Sequence, residues 1–447
     1  MKDMTKGSPA KHLITYAIPL LFGTWFQMGY NAVDSIIVGR FIGKDALAAV
    51  GIASPVMNLI ILSISGVTIG AGVLMSEFFG AKNWQSLKRQ FSTTVLSGAL
   101  LSLIVLLLGL LCTVWIVSLL AVPAEIIDMT TLYLRITFIG TPFTFLYNVL
   151  AASLKSVGDS KTPLNFLIIT STLNAALDLI LIGGMGYGIV CSAFTTVAAQ
   201  ALSAVMAAVY VKKKVPELCP SKKEWGIDKE LLTKTIKYGG VTALQQSVQP
   251  IGKLLIQGQV NMLGVDVIAA FNAVSKVDAF AFVPEQSIAQ GITTYVAQNK
   301  GAINAQTNSQ NSLHRIKHGF AAGIGLEICY FILICTIVLS LKVPIISLFV
   351  TGESSAEIIR IGAEYLGLMA FFYLLPGLTN GVQGFFRGMG QFKITVLGTF
   401  IQTSVRVIMT YLLAPNMGIR GIAIGCALGW SLMLLVQVPI CLKELKK

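Results

Sequence analysis

The chain has 447 residues, of which 55% are hydrophobic and only 12% charged, and its mean hydropathy is +0.76. A soluble globular chain carries about twice that charged fraction, so an ordinary water-soluble domain is excluded. The net charge of +13 would suit nucleic acid if it formed a basic face, but the lysines and arginines fall between apolar runs, which argues against nucleic-acid binding.

Twelve apolar runs follow one another at 13–38, 46–76, 91–120, 127–151, 163–183, 187–211, 236–261, 267–297, 318–341, 357–385, 394–414 and 418–441. Each approaches or exceeds the ~20 residues needed to cross a hydrocarbon core of about 30 Å. The fold class expected is an all-α membrane protein of twelve transmembrane helices. The first run is too long for a cleavable signal core, and it holds an acid, Asp34.

That first run carries a polar stripe, with Thr24, Gln27, Asn31 and Asp34 spaced three or four apart on one helical face. Gly66, Gly70 and Gly72 give the second run a small-residue face suited to close helix packing. In the fifth run Asn174 and Asp178 lie one turn apart, and Thr195 and Thr196 sit in the sixth. Ionisable groups in a bilayer are costly and usually functional. Two carboxyls, an amide and a hydroxyl make an oxygen-lined pocket that suits a hard cation such as Na⁺. Two carboxyls crowded together can equally share a proton. The residues leave both ions open. Asp34, Asn174 and Asp178 would be metal ligands only in the sodium case.

The connection 212–235 is rich in charge and contains Pro216 and Pro220, marking a linker between an N-lobe (1–211, six spans) and a C-lobe (236–447, six spans). In the seventh run Gln245, Gln249 and Lys253 form a second polar stripe, with Gln246 beside it; Asp278 and Glu285 follow in the eighth. Lys253 and Arg406 are expected either to be neutralised by acids such as Asp278, Glu285 and Glu327 or to contact substrate. Pro19, Pro55, Pro142, Pro250, Pro284 and Pro376 each remove a helix hydrogen bond, as packing kinks or bend points. His314 and His318 share a helical face but sit among basic residues, and read as solvated side chains. The seven cysteines show no metal-ligand spacing.

Cations gather on alternate connections: Lys2, Lys6 and Lys11 before the first run, Lys82, Lys88 and Arg89 after the second, Lys212, Lys213 and Lys214 after the sixth, Lys443 and Lys446 after the twelfth. This positive-inside pattern places both termini in the cytoplasm of a multi-pass protein of a bacterial-type cytoplasmic membrane.

The chain also contains itself twice. Residues 43–83 fall on 264–304 without a gap, matching Gly43, Asp45, Ala48, Ala49, Ser54, Gly70, Gly80, Ala81 and Asn83 to Gly264, Asp266, Ala269, Ala270, Ser275, Gly291, Gly301, Ala302 and Asn304. A second alignment meets Tyr133, Asn148, Gly158 and Lys161 with Tyr365, Asn380, Gly390 and Lys393. Six spans per copy set both copies in one orientation, related by a pseudo-two-fold axis along the membrane normal. The copies differ at the acids: Leu255 stands in the place of Asp34, Arg406 in that of Asn174, and Thr410 in that of Asp178. There is no GxxxxGK[ST] phosphate loop, and no nucleophile–base constellation points to an enzyme.

Four strings carry a family resemblance: SEFFGAKN (Ser76–Asn83), VAQNKGA (Val296–Ala302), KSVGDSKTP (Lys155–Pro163) and FRGMGQFK (Phe386–Lys393). They resemble the signatures of the multidrug and toxic compound extrusion (MATE) family, closer to its MepA-like and DinF-like branches. The resemblance implies twelve helices in two six-helix lobes around a V-shaped cavity, and efflux of amphipathic organic cations by antiport with H⁺ or Na⁺, without a cofactor. It implies a coupling site on Asp34, Asn174, Asp178 and a sixth-span threonine, with Thr196 fitting the spacing better than Thr195. The acids of the NorM-like branch are replaced here by Gln245, Gln246, Thr379 and Asn380. Drug contact is expected from Gln27, Asn31, Tyr30, Trp25, Phe143, Tyr147, Gln245, Gln249, Lys253, Asp278, Phe282 and Arg406, through apolar and cation–π contact. The partners expected are small-molecule drugs and the lipid bilayer, with the chain a monomer. The alternative is a flippase for a lipid or lipid-linked glycan, whose pyrophosphate would meet Lys253 and Arg406.

Overall fold

Within hydrocarbon every backbone N–H and C=O must find its partner inside the chain, and the α-helix does this segment by segment. The computed structural model describes residues 2–305, 309–350 and 355–446, and among them there is no strand. The helices are α1 (Pro9–Ile37), α2 (Lys44–Gly80), α3 (Trp84–Leu119), α4 (Ile127–Ser156), α5 (Lys161–Asp178), α6 (Ile189–Lys214), α7 (Lys229–Asn261), α8 (Val265–Asn304), α9 (Ser309–Ser347), α10 (Ser355–Phe372), α11 (Leu374–Gly388), α12 (Phe392–Met417) and α13 (Ile419–Lys446). The expected all-α membrane fold is borne out: nine of these helices are long and apolar enough to cross a bilayer, and α10 with α11 makes a tenth such span bent by 42°. The bend has a local cause. Pro376 has no N–H to offer the carbonyl of Phe372, and the helix breaks between the two. Pro19, Pro55, Pro142, Pro250 and Pro284 all lie inside unbroken helices. The two long helices that are less apolar, α1 and α7, are those with the polar stripes.

The chain divides into two compact units, one of Met1–Asp3 and Phe22–Gly240, the other of Met4–Leu21 and Val241–Lys447. The core of the first gathers Ala71, Met75 and Phe79 of α2, Leu87 and Phe91 of α3, Leu150 and Leu154 of α4, and Ala207 and Val211 of α6. Part of the glycine face of α2 has a partner here: a Cβ on Gly70 would lie 2.8 Å from the Gly239 nitrogen at the start of α7. The connection between α6 and α7 docks on α3. Ser92 Oγ donates to the Gly226 carbonyl at 2.9 Å, the Asp228 N–H donates to Thr93 Oγ1 at 3.0 Å, and Gln90 Nε2 donates to Thr235 Oγ1 at 2.8 Å.

Three of the four family strings contain tight turns, while VAQNKGA lies inside α8. In SEFFGAKN, Lys82 takes a positive φ of 55° and Asn83 caps α3, its Oδ1 accepting from the Ser86 N–H at 3.0 Å. In KSVGDSKTP, Gly158 takes φ 82° and Asp159 caps α5, its carboxylate accepting from the Thr162 N–H and hydroxyl at 3.0 and 2.7 Å. In FRGMGQFK, Gly390 takes φ 76° between α11 and α12. These glycines and caps reverse the chain in three or four residues, so each span packs beside the next.

In the second unit one cluster joins Val274 and Ala281 of α8, Tyr365 and Met369 of α10, and Ile422, Cys426 and Trp430 of α13; another joins Leu13 and Tyr16 of α1 to Ile292, Tyr295, Phe385 and Phe386. Helices α12 and α13 approach along Gly421, Gly425 and Gly429, where a Cβ would come within 2.6, 2.9 and 2.6 Å of α12 atoms, most of them backbone.

Gly421→Val therefore forces the two helices apart and is expected to cost about 1–3 kcal/mol. The readout is a lower thermal midpoint of the full chain in detergent. Gly51→Ala, at a helical glycine where a Cβ meets nothing within 4 Å, is the control and leaves the midpoint unchanged or slightly raised.

Candidate cation-coupling site

Asp34 lies in the last turn of α1, and Asp178 is the last residue of α5. Beyond each acid the helix widens into a π turn, Val38–Ile42 one turn after Asp34 and Leu179–Gly184 directly after Asp178. Such turns are rare and concentrate at functional sites. The two π turns pack together, Phe41 against Gly183, and this contact brings the two helix ends side by side.

The carboxyls of Asp34 and Asp178 come within hydrogen-bonding reach of each other. Asp178 is fully buried. Its Oδ1 accepts from Thr195 Oγ1 of α6 at 2.5 Å. Asn174, one turn earlier on α5 and also fully buried, accepts at Oδ1 from the Tyr30 hydroxyl of α1. Tyr30 also reaches Thr196. The two threonines thus divide between the acid and the tyrosine, and it is Thr195 that touches a carboxylate. Tyr133 of α4 faces both acids, a contribution that no periodicity in the sequence marks.

Three buried polar atoms here have no hydrogen-bond partner: Asp34 Oδ1, Asp178 Oδ2 and Asn174 Nδ2. An unsatisfied buried polar group costs about 1–3 kcal/mol, more when charged. A proton between the carboxyls, or a small cation beside them, would satisfy the two acid oxygens. The donor set is oxygen-rich and holds no sulfur or imidazole ligand, which fits H⁺ or Na⁺ and not a transition metal.

The expected drug-contact residues are spread over both units. In the first, Gln27 and Asn31 are exposed on α1, Trp25 is half-buried, Phe143 is exposed on α4, and Tyr147 is half-buried and donates to the Pro163 carbonyl at 3.0 Å. In the second, Gln245 is buried and donates from Nε2 to Gln383 Oε1 at 2.6 Å and Thr399 Oγ1 at 3.0 Å, while Gln249 is exposed. Asp278 accepts from the Tyr373 hydroxyl at 2.6 Å. Phe282 meets Tyr373 and Trp430 edge-on, with centroids 5.7 and 6.3 Å apart. Lys253 and Arg406 both lie near enough to Asp278 to interact with it electrostatically, without a direct ion pair. Among the described residues neither makes an ion pair within 4.0 Å, and Arg406 Nε has no hydrogen-bond partner. The hydrogen bonds of the acids go to neutral groups, Asp278 accepting from Tyr373 and Glu285 from Asn380. His314 and His318 are exposed, with their Nε2 atoms 3.0 Å apart.

Comparison with known proteins agrees with the motifs. The probable multidrug resistance protein YoeA of Bacillus subtilis is 28% identical over 97% of this chain and 93% of its own length. The multidrug export protein MepA of Staphylococcus saprophyticus is 22% identical over 98% of this chain and 92% of its own. A solved structure described as the outward-facing conformation of a multidrug resistance MATE family transporter superposes with a TM-score of 0.90 at 20% identity, covering 100% of this chain and 98% of that one. The MatE family model matches residues 19–180 and 242–412, taking in most of both copies of the repeat, and the chain belongs to the MATE family.

Proposed function

We propose that this chain is a secondary active efflux antiporter that exports amphipathic organic cations across the cytoplasmic membrane in exchange for H⁺ or Na⁺. The observation that carries the reading is the facing pair Asp34 and Asp178, each with a buried oxygen that has no partner. Spans this apolar do not keep two carboxyls together for packing, because ionisable groups inside a span are costly and usually functional. The names of relatives such as YoeA and MepA support multidrug export as the activity.

Asp34 and Asp178 hold the coupling ion in this reading. Thr195 orients Asp178, and Asn174, Tyr30 and Thr196 fix the neighbouring wall. The drug, an apolar cation, is recognised by aromatic faces and a buried acid. Phe282, Tyr373 and Trp430 beside Asp278 have that chemistry within one unit. Binding of the ion favours one state of the alternating cycle and binding of the drug the other, since only differential affinity can bias the equilibrium. The positive-inside charge supports cytoplasmic termini. A second reading is a flippase for an anionic lipid or lipid-linked glycan. It is favoured by one observation, the lack of ion pairs to Lys253 and Arg406, either of which could meet a phosphate.

Ethidium efflux from reconstituted vesicles under an imposed pH or Na⁺ gradient tests both. The wild type is expected to export ethidium under one of the gradients, and Asp34→Asn or Asp178→Asn to fall to background with the fold intact. Full efflux in both variants refutes the coupling site. Lys253→Gln with Arg406→Gln leaves cation efflux in place, whereas a flippase would lose its activity.

Thr195→Val removes the donor to Asp178. A hydrogen bond to a charged group contributes about 1.5–3 kcal/mol, so the ion concentration giving half-maximal drive should shift by about tenfold or more. An unchanged half-point would remove Thr195 from the site.

A further inference from the structure

The second unit lacks acids at the positions of Asp34 and Asp178, yet it buries two others that the coupling site does not use. Glu285 of α8 and Glu327 of α9 are each 1% exposed. Both side chains reach Gly377 of α11: a Cβ there would lie 3.4 Å from Glu327 Oε2 and 3.8 Å from the Glu285 carboxyl carbon. Glu285 Oε2 receives one long hydrogen bond, from Asn380 Nδ2 at 3.5 Å. Both carboxyl oxygens of Glu327 have no partner at all.

The surrounding groups offer no countercharge. On α8, Asp278 lies two turns earlier and is held by Tyr373. On α9, Tyr330 spends its hydroxyl proton on the Ala281 carbonyl at 2.7 Å. Lys253 and Arg406 face Asp278 and pair with neither glutamate. Two uncompensated carboxylates at this burial cannot both stay ionised. One proton removes one of the two charges.

We propose that Glu285 and Glu327, with Asn380, form a second proton-binding site inside this unit, independent of the Asp34–Asp178 pair. One of the two carboxyl groups carries the proton, and Asn380 orients Glu285. The site stands whether or not the chain exports drugs.

Infrared difference spectroscopy on the full chain in lipid nanodiscs at neutral pH reads this without a transport assay, through the C=O stretch of a protonated carboxylic acid and its shift in D₂O. The band is expected in the wild type and in Asp34→Asn/Asp178→Asn, and expected to be lost in Glu285→Gln/Glu327→Gln. Glu327→Gln alone should shift or remove it, which keeps the test available if the double variant fails to fold. An unaltered band in both Glu327→Gln and the glutamate double variant overturns the proposal. So does the absence of a band from Asp34→Asn/Asp178→Asn. A band that disappears when Na⁺ replaces choline at constant pH overturns the proton assignment in favour of a sodium site.

Discussion

A carboxyl group inside a membrane span has no bulk water to solvate it, and everything specific about this chain follows from where it accepts that cost. The backbone is satisfied by helices, the turns by glycines and side-chain caps, and the helix crossings by small residues such as Gly421, Gly425 and Gly429. Apolar side chains fill the rest. Against that background an acid with an unpartnered oxygen stands out, and Asp34 and Asp178 form one such place, at the ends of two helices whose π turns pack together.

The duplicated fold tolerates divergence of charge because helix packing and charge placement use different residues. The matched positions of the repeat are mainly glycines, alanines and turn residues: Gly43 and Gly264 both sit at helix starts with positive φ, and Gly158 and Gly390 both occupy the turn after a span. The polar positions are free to change. Leu255 and Thr410 replace the acids, and buried charge in the second copy moves to Asp278 and Glu285 on α8 and Glu327 on α9. One architecture thus carries two electrostatically distinct halves.

Much of this was legible in the residues, and what was not has physical causes. The apolar runs mark the helices because hydrocarbon demands them, but the helices run past the runs, α3 starting at Trp84 and not at residue 91. Their ends are set by caps such as Asn83, outside the apolar segment. The broken tenth span required knowing which of six prolines breaks its helix. Only Pro376 does, while Pro284 and Pro142 sit inside long unbroken helices. The acid pair could be read from its stripe and spacing. The partition between Thr195 and Thr196 could not, since adjacent residues on a helix point about 100° apart and only the rotation of α6 decides which meets Asp178. Tyr133 and the approach of both Glu285 and Glu327 to Gly377 involve separate helices, where periodicity along one chain segment has nothing to report.

The π turns give the acid pair a further property. A π turn inserts one residue into the helical ladder, so the carbonyls around it are less tightly committed than those of a regular helix. One begins directly after Asp178 and the other a turn after Asp34, so both lie at the ends of the helices that carry the acids. In the proposed antiport a bound ion would draw the carboxyls together, and its departure would leave two like-charged groups to repel. That change of sign would act beside the two π turns. A regular helix in the same position would transmit the force as a rigid rod; a π turn can absorb it as a local change of pitch, and so turn the occupancy of a two-carboxyl site into a change in the direction of a whole helix.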